Sequence, residues 1–314
     1  MRQHFLVHGV KLVLTSSNRD FLAFAKEYFR GFEIDTPRKD AAYVADVHVV
    51  VQFLPGFSWR LNQSQYAPHV LGGGLGWDEK NNTLYIFENE IEARATLTAP
   101  WHAEVKFKKN FFRYLAHRLF FSGSKTKNNY YRSLIRLFAQ QLVFMQLALR
   151  WQIVGISAAA FKIGGQAHLA VGLPGSGKST LVSALRRELH AEILAENFAL
   201  TDGERLFPFP EGQSSDVAPC PIGGIYFLTH GEGFAKYILP REQAYQAMLA
   251  VNNLTAELPQ HSPYGSLALV DPTRWQFLFD SDNETLKKLC ERHSCLRLIA
   301  DEGLLKTIEY FKNL

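Results

Sequence analysis

The stretch from Gly172 to Ser179, with the sequence GLPGSGKS, constrains this chain more than any other feature. It matches the pattern G-x-x-x-x-G-K-[ST] in full, follows the apolar run AHLAV and precedes the helix-like run STLVSALRR. Glycines in such a loop let successive backbone N–H groups curl around phosphate oxygens, and a helix that begins there adds its positive dipole end. The pattern therefore predicts a strand, a phosphate-binding loop and a helix, in that order.

The loop also predicts a nucleotide with a magnesium ion. Lys178 is expected to reach the β- and γ-phosphates, and the Ser179 hydroxyl is expected to ligate Mg²⁺, with waters and phosphate oxygens as the other ligands. The predicted cofactors are therefore ATP and Mg²⁺. The residues predicted to bind the nucleotide are Gly172, Leu173, Pro174, Gly175, Ser176, Gly177, Lys178, Ser179 and Thr180.

Composition narrows the class of protein. The 314 residues are 47% hydrophobic, which is enough for one large core or two smaller ones, and no run of about 18 apolar residues indicates a membrane span. The N-terminus lacks the apolar segment of a signal peptide. Three irregularly spaced cysteines, Cys220, Cys290 and Cys295, favour neither a disulfide framework nor a zinc site. We therefore expect a cytoplasmic protein.

The distribution of charge says more than its formal net value of +4, which by itself does not indicate nucleic-acid binding. Residues 105–187 contain no Asp or Glu but contain fourteen Lys or Arg. Such a region attracts anions, so an anionic partner is predicted there besides the nucleotide; the alternative is an ordinary solvated basic face. No nucleic-acid partner is expected, and self-association is left open.

The first hundred residues predict a mixture of strands and helices. SNRDFLAFAKEYFRGF has the spacing of an amphipathic helix, with Ser17 or Asn18 as its cap. Asn81-Asn82 between alternating segments predicts a hairpin. Helical spacing then appears in residues 109–121 and again in residues 130–150, with SGSKTKNN between them interpreted as a loop. Basic and aromatic residues interleave in the first of these helices, which suits a membrane surface or an anionic partner as well as a core-facing helix.

A change of pattern near this loop predicts a domain boundary. We assign residues 1–130 to an N-terminal α+β domain and residues 131–314 to an α/β nucleotide-binding domain. Gly164-Gly165 is predicted to join two strands before the phosphate loop, and residues 222–240 look like a further hairpin pair. Pro240 precedes an amphipathic helix.

The segment from QLALRWQIVG to DGERLFPFP resembles the HPr kinase/phosphorylase family. The resemblance covers roughly residues 130–250 and lies in the order and spacing of elements and in the loop itself. It implies a fold like the C-terminal domain of that family, with a mixed sheet, which is related to phosphoenolpyruvate carboxykinase. It also implies transfer of phosphate to a hydroxyl of a peptide, a protein or a small molecule.

The chain departs from that family at the positions that handle protons. Where the family has a His, this chain has Ser157. Where the family has a pair of Asp residues, this chain has Glu196 and Asn197. In the family the first Asp acts as base or acid, and nearby carboxylates help to hold magnesium. The resemblance therefore implies that Glu196 is catalytic together with Lys178, and that Glu196 and Ser179 serve the metal; the alternative for Glu196 is a surface carboxylate at a strand end. Three further acidic candidates are Asp202, Glu204 and Glu211.

Two functions follow from these patterns. The first is an ATP- and Mg²⁺-dependent kinase, because phosphoryl transfer depends mostly on positioning and charge neutralisation, which an intact loop supplies. The alternative is a degenerate kinase homologue that acts as a nucleotide- or peptide-binding protein or scaffold. The histidines His168, His190 and His230 are interpreted as packed residues rather than as catalysts.

Overall fold

The computed structural model describes residues 1–34, 44–58, 69–72, 74–88, 90–110, 123–209, 217–231, 233–253 and 262–314. The chain has an α+β fold with mixed sheets. It forms two compact units, one from residues 1–146 with 262–272 and the other from residues 147–261 with 273–314. The predicted boundary at residue 130 lies within a continuous helical segment, whereas the units divide between Gln146 and Leu147.

The first unit is built on an eight-stranded sheet of order β1-β2-β3-β8-β7-β6-β5-β4. Strands β2, β3 and β8 are parallel, and the other neighbours are antiparallel. Its strands are β1 (Arg2–Val7), β2 (Val10–Ser16), β3 (Val47–Ser58), β4 (His69–Gly72), β5 (Leu75–Asp78), β6 (Thr83–Glu88), β7 (Ile91–Thr96) and β8 (Trp101–Asn110). Its helices are α1 (Arg19–Tyr28), α2 (Gly123–Leu134), a π-helical turn (Ile135–Gln140), the first part of α3 (Gln141–Trp151), a 3₁₀ turn (Pro263–Ser266) and α4 (Leu267–Val270).

Local sequence signals explain the start of this unit. The side chain of Asn18 accepts a hydrogen bond from the backbone N–H of Phe21 at 3.1 Å, so Asn18 is the N-cap of α1 and the predicted helix is confirmed. The predicted hairpin between β5 and β6 is also confirmed, and Asn82 has a φ of 48° in its turn.

The predicted loop SGSKTKNN is wrong from Gly123 onward, because α2 begins there. Ser and Gly are weak helix formers, which is why the segment looked like a loop. Packing decides otherwise: Tyr131 and Leu134 are buried, and the Tyr131 ring contacts Phe21 and Phe53, each with centroids 5.6 Å apart. Burial of an apolar face stabilises a helix in a protein more than propensity does. The predicted helix of residues 109–121 lies almost wholly outside the described residues.

The second unit holds a nine-stranded mixed sheet. Its strands are β9 (Val154–Ile156), β10 (Ala158–Ile163), β11 (Gln166–Val171), β12 (Glu192–Ala195), β13 (Ala199–Thr201), β14 (Arg205–Phe207), β15 (Cys220–His230), β16 (Ala235–Ile238) and β17 (Cys295–Ala300). Its helices, after the end of α3, are α5 (Lys178–Leu189), α6 (Arg241–Asn253), all but the first residue of α7 (Pro272–Trp275), α8 (Phe277–Arg292) and α9 (Leu305–Lys312).

A parallel core of β11, β15 and β17 lies at the centre of this sheet. β10 and then β12 extend it beyond β11, and β16 extends it beyond β17. Apolar side chains of α5 and α9 cover one face, and those of α6 and α8 cover the other. Because the loop before α5 follows the last residue of β11, and β15 runs parallel to β11, this loop lies at the carboxyl edge of the parallel strands, where open sheets of this kind bind ligands.

The prediction of a hairpin in residues 222–240 is wrong in its pairing. Both strands form, but β17 lies between them, parallel to β15 and antiparallel to β16. Alternation along a sequence identifies a strand, but its partner is chosen by tertiary packing, so a strand from residues 295–300 could not be placed there from the pattern alone.

Three further findings concern the predictions about membrane spans, cysteines and the basic region. In the part of the chain that the structure describes, no helix has the length and apolar character needed to cross a membrane. Cys220, Cys290 and Cys295 are free thiols and are buried. Within the basic region, Lys106 and Lys162 form ion pairs with glutamates from outside it, at 3.6 Å and 3.7 Å, so part of its charge is offset.

Candidate functional site

The glycine-rich loop connects β11 to α5, which confirms the predicted order of strand, loop and helix. Gly175 and Gly177 have φ angles of 85° and 83°, a region that glycine enters at little cost and other residues rarely enter. The backbone N–H of Ser176 donates to the carbonyl of Leu173 at 3.0 Å and closes a turn inside the loop. The loop is thus a tight curl that ends at the first residue of a helix.

Lys178 folds back over this curl. Its ammonium donates to the carbonyl of Gly172 at 2.5 Å and to the carbonyl of Leu173 at 3.1 Å. An ammonium has three donors and no acceptor, so it holds its place here through carbonyl oxygens that a phosphate oxygen can replace. The cation therefore lies over the loop.

The first turn of α5 suits an anion. It contains no acidic side chain, and both Ser179 and Thr180 are exposed there. The positive end of the helix dipole and the N–H groups of the first turn therefore face a site without a competing carboxylate on the same turn. Among the described residues, the buried hydroxyls of Ser176 and of the neighbouring Thr229 on β15 have no hydrogen-bond partner. Polar atoms of this kind fit a polar ligand such as a phosphate chain.

Magnesium fits this site only as an ion shared with phosphate. In the described part of the chain, no three His, Cys, Asp or Glu side chains come together as a metal cluster. Mg²⁺ bound beside a nucleotide usually keeps several waters and takes phosphate oxygens and one or two protein oxygens. Ser179 can supply one such oxygen from the first turn of α5.

Glu196 lies at the same edge of the sheet as the loop but on another strand. It follows Ala195, the last residue of β12, and Asn197 comes next; both side chains are half-buried. β10 separates β12 from β11, so the backbone at Glu196 is about 10 Å from the loop strand at the usual spacing of neighbouring strands.

Ser157, which replaces the His of the resembled family, is buried between β9 and β10. Its backbone N–H donates to the side-chain oxygen of Asn252 at 2.9 Å, and the Asn252 amide donates to the carbonyl of Gly155 at 3.4 Å. The small side chain thus fills a packed position that α6 holds in place.

Asp202 and Glu204 belong to a different part of the unit. Arg205 pairs with Pro221 at the start of β15, whereas the end of the loop strand pairs with Phe227, so the two points are about 20 Å apart along the strand. Both carboxylates are engaged locally. Burial raises the pKa of Asp202, but hydrogen bonds from the backbone N–H groups of Arg205 and Glu204 and from the Arg205 guanidinium outweigh it, and the pKa stays below its ordinary value.

Glu204 lies in the same turn, and its carboxylate is also paired locally. A hydrogen bond from Lys288, with the charge of Arg292, holds the pKa of Glu204 below its ordinary value. These two acidic candidates therefore stabilise a turn and an ion-pair network rather than serve the loop. The third, Glu211, lies outside the described residues.

His168 is packed, as interpreted from the sequence. Its ring stacks on Phe161 with centroids 5.7 Å apart and lies 3.4 Å from the Tyr226 hydroxyl, and burial lowers its pKa. It therefore has a structural role in the core.

The interpretation of His230 as a packed residue is wrong. It is the last residue of β15, its side chain is exposed, and its ring lies against the loop: a Cβ on Gly177 would be 2.7 Å from Cε1 and 2.9 Å from Nε2. The signal available in the sequence was the apolar run IYFLT, which ends in His where common phosphate-loop proteins carry Asp.

Beside the loop lies a cleft with a volume of about 570 Å³. Loop residues form one wall, the end of β15 forms the floor, and one side of α6 (Gln243, Ala247 and Val251) with Leu239 forms the opposite wall. Of the described residues that line the cleft, His230 and Arg297 are the ionisable ones. The cleft is open on the β15 side of the loop, whereas Glu196 is on the β12 side.

The contact between Gly177 and His230 predicts how two loop variants differ. Alanine at Gly175 or at Gly177 should cost about 1–2 kcal/mol, because both positions have positive φ. Gly177→Ala should in addition displace the exposed imidazole of His230, since its Cβ would overlap the ring, whereas nothing lies within 4 Å of a Cβ on Gly175. The NMR signals of the His230 ring, recorded for both variants, test the difference. An unmoved ring signal in Gly177→Ala would show that the imidazole does not rest on the loop.

The chain was also compared with known proteins. No protein-family model matches it, and no curated protein matches it by sequence.

Proposed function

We propose that this chain binds a nucleoside triphosphate with Mg²⁺ and transfers the terminal phosphoryl group to a hydroxyl. The observation that carries the proposal is the loop itself: a complete G-x-x-x-x-G-K-[ST] sequence curled between β11 and α5, with the Lys178 ammonium lying over it. The order of elements around the loop, which resembles that of the HPr kinase/phosphorylase family, supports phosphoryl transfer.

Each group of the loop has a role in this proposal. Residues 172–180, apart from Pro174, which has no N–H, hold the phosphates through backbone N–H groups; Lys178 neutralises the β- and γ-phosphates, and Ser179 would ligate Mg²⁺. Glu196, at the same edge of the sheet, would supply a carboxylate to the Mg²⁺ site. Bound Mg²⁺ supplies charge neutralisation on the phosphates. The cleft beside the loop admits the acceptor, a hydroxyl-bearing peptide, protein or small molecule.

Calorimetric titration of the whole chain with ATP, in the presence and absence of Mg²⁺, tests the first part of the proposal. Binding is expected with Mg²⁺ and should be weaker without it, because the phosphate charge is then less well neutralised. An AMP titration is the matched control, since it keeps the nucleoside and lacks the β- and γ-phosphates that the loop would hold. No detectable heat with Mg²⁺ and ATP would refute the proposed function.

The degenerate-homologue alternative keeps one specific observation in its favour. Ser157 and Asn197 provide neither the imidazole nor the second carboxylate of the resembled family, and Ser157 is fixed in a packed position. Binding of ATP without any turnover would favour this second function, a nucleotide- or peptide-binding protein.

A further inference from the structure

His230 occupies the position next to the loop where a reacting group would be expected. β15 runs parallel to β11, with Phe227 opposite Val171, so the chain leaves both strands at the same edge. Three residues beyond that register point, the imidazole of His230 lies against Gly177, the residue before Lys178. Its Nε2 and Cε1 atoms are the ones that face the loop, with Nδ1 farther away.

The cleft gives this imidazole access to a second substrate. His230 lines the cleft together with Thr229 and with the loop residues Gly172 and Ser176. Of the described residues in that lining, Arg297 is the other ionisable one, and a guanidinium cannot accept a proton in a protein. His230 is therefore the group of the cleft lining that is able to act as a base. Glu196 is separated from this side by β10 and β11.

We propose that His230 is a catalytic residue that accepts the proton of the attacking hydroxyl. This inference rests on the proposed function. In the step, a lone pair of the imidazole takes the proton of the acceptor hydroxyl as its oxygen forms a bond to the terminal phosphorus. The bond between that phosphorus and the bridging oxygen breaks, and the electron pair leaves on the nucleoside diphosphate. Imidazole is suited to this role near neutral pH, where positioned bases contribute about 10²–10⁴-fold to a rate.

Water is the acceptor used in the test, since the natural acceptor is unidentified. ADP formation from ATP and Mg²⁺ is measured with the whole chain, and nucleotide affinity is measured separately by calorimetry. His230→Ala and His230→Gln should both lower turnover about 100-fold or more, with affinity for ATP unchanged within error. Added imidazole should restore part of the turnover of His230→Ala, because the small base enters the space that the side chain has left, and should not restore His230→Gln.

Two control variants separate this role from others. His190→Asn removes another exposed histidine of the same unit, at the end of α5, and Asn tolerates its φ of 51°; its turnover should match that of the wild type. Glu196→Gln tests the alternative assignment, in which Glu196 is the base. Added imidazole should leave the turnover of this variant unchanged.

The outcomes distinguish this inference from the proposed function. Wild-type turnover in both His230 variants overturns the inference, as does a loss of turnover that follows a parallel loss of ATP affinity or that imidazole cannot restore in His230→Ala. A wild-type chain that binds ATP without forming ADP also overturns it, while nucleotide binding stands. A wild-type chain that does not bind ATP refutes the proposed function, and the inference with it.

Discussion

Replacing Lys178 with alanine is expected to lower the affinity of the chain for ATP with Mg²⁺ by at least about 100-fold, which corresponds to about 2.7 kcal/mol of binding free energy. In the structure the ammonium is held by the carbonyls of Gly172 and Leu173. On binding, these contacts would be exchanged for charge-assisted hydrogen bonds to phosphate oxygens, which are the stronger kind. The variant should fold normally, because the side chain is half-exposed.

Lys288→Ala is the matched control for this loss. It also removes one positive charge from the second unit, but Lys288 pairs with Glu204 at 3.0 Å in the turn far from the loop. Its effect on nucleotide affinity should be small and should vanish in high salt, since exposed charges are screened over about 8 Å at physiological ionic strength. Equal affinities of the wild type and Lys178→Ala would show that the loop does not hold phosphate.

Phe161→Ala is expected to destabilise the second unit by about 3–5 kcal/mol, the cost of removing a buried aromatic side chain and leaving a cavity. Phe161 is on β10, is 0% exposed, and packs between His168 and Phe311 with centroid distances of 5.7 Å and 5.2 Å. Its ring belongs to the core on which α5, and thus the loop, rests. The loss should therefore also weaken nucleotide binding.

Hydrogen exchange, read peptide by peptide, is the appropriate measurement, because a chain of two units need not unfold in a single step. Faster exchange is expected in β10, β11 and α5 and not in the first unit. Lys162→Ala, one residue away, is the control; it removes a partly exposed ion pair with Glu192 at 3.7 Å and should cost about 1 kcal/mol or less. Equal protection in Phe161→Ala and Lys162→Ala would contradict the assignment of Phe161 to the core.

Much of the local structure could be predicted because its signals are local. Asn18 caps α1, Asn82 allows the turn between β5 and β6, and Gly164 and Gly165, with φ angles of 59° and 82°, form the turn between β10 and β11. Each of these caps and turns depends on the backbone conformations that one or two residues can adopt, and the residue type determines those conformations. The loop from Gly172 to Ser179 belongs to the same class, since its curl depends on glycines at fixed positions.

Pairing and packing between distant segments could not be predicted in this way. The sequence by itself determined the glycine-rich loop, its strand and helix, and the α+β character of the chain. Tertiary structure alone decided that α2 begins at Gly123, that β17 lies between β15 and β16, and that Asp202 and Glu204 lie far from the loop. It also placed His230 against Gly177, across a separation of 53 residues. The physical reason is that contacts between distant segments depend on the burial of whole faces of helices and sheets, to which each residue contributes only a part. No short stretch of sequence therefore determines which segments will pair.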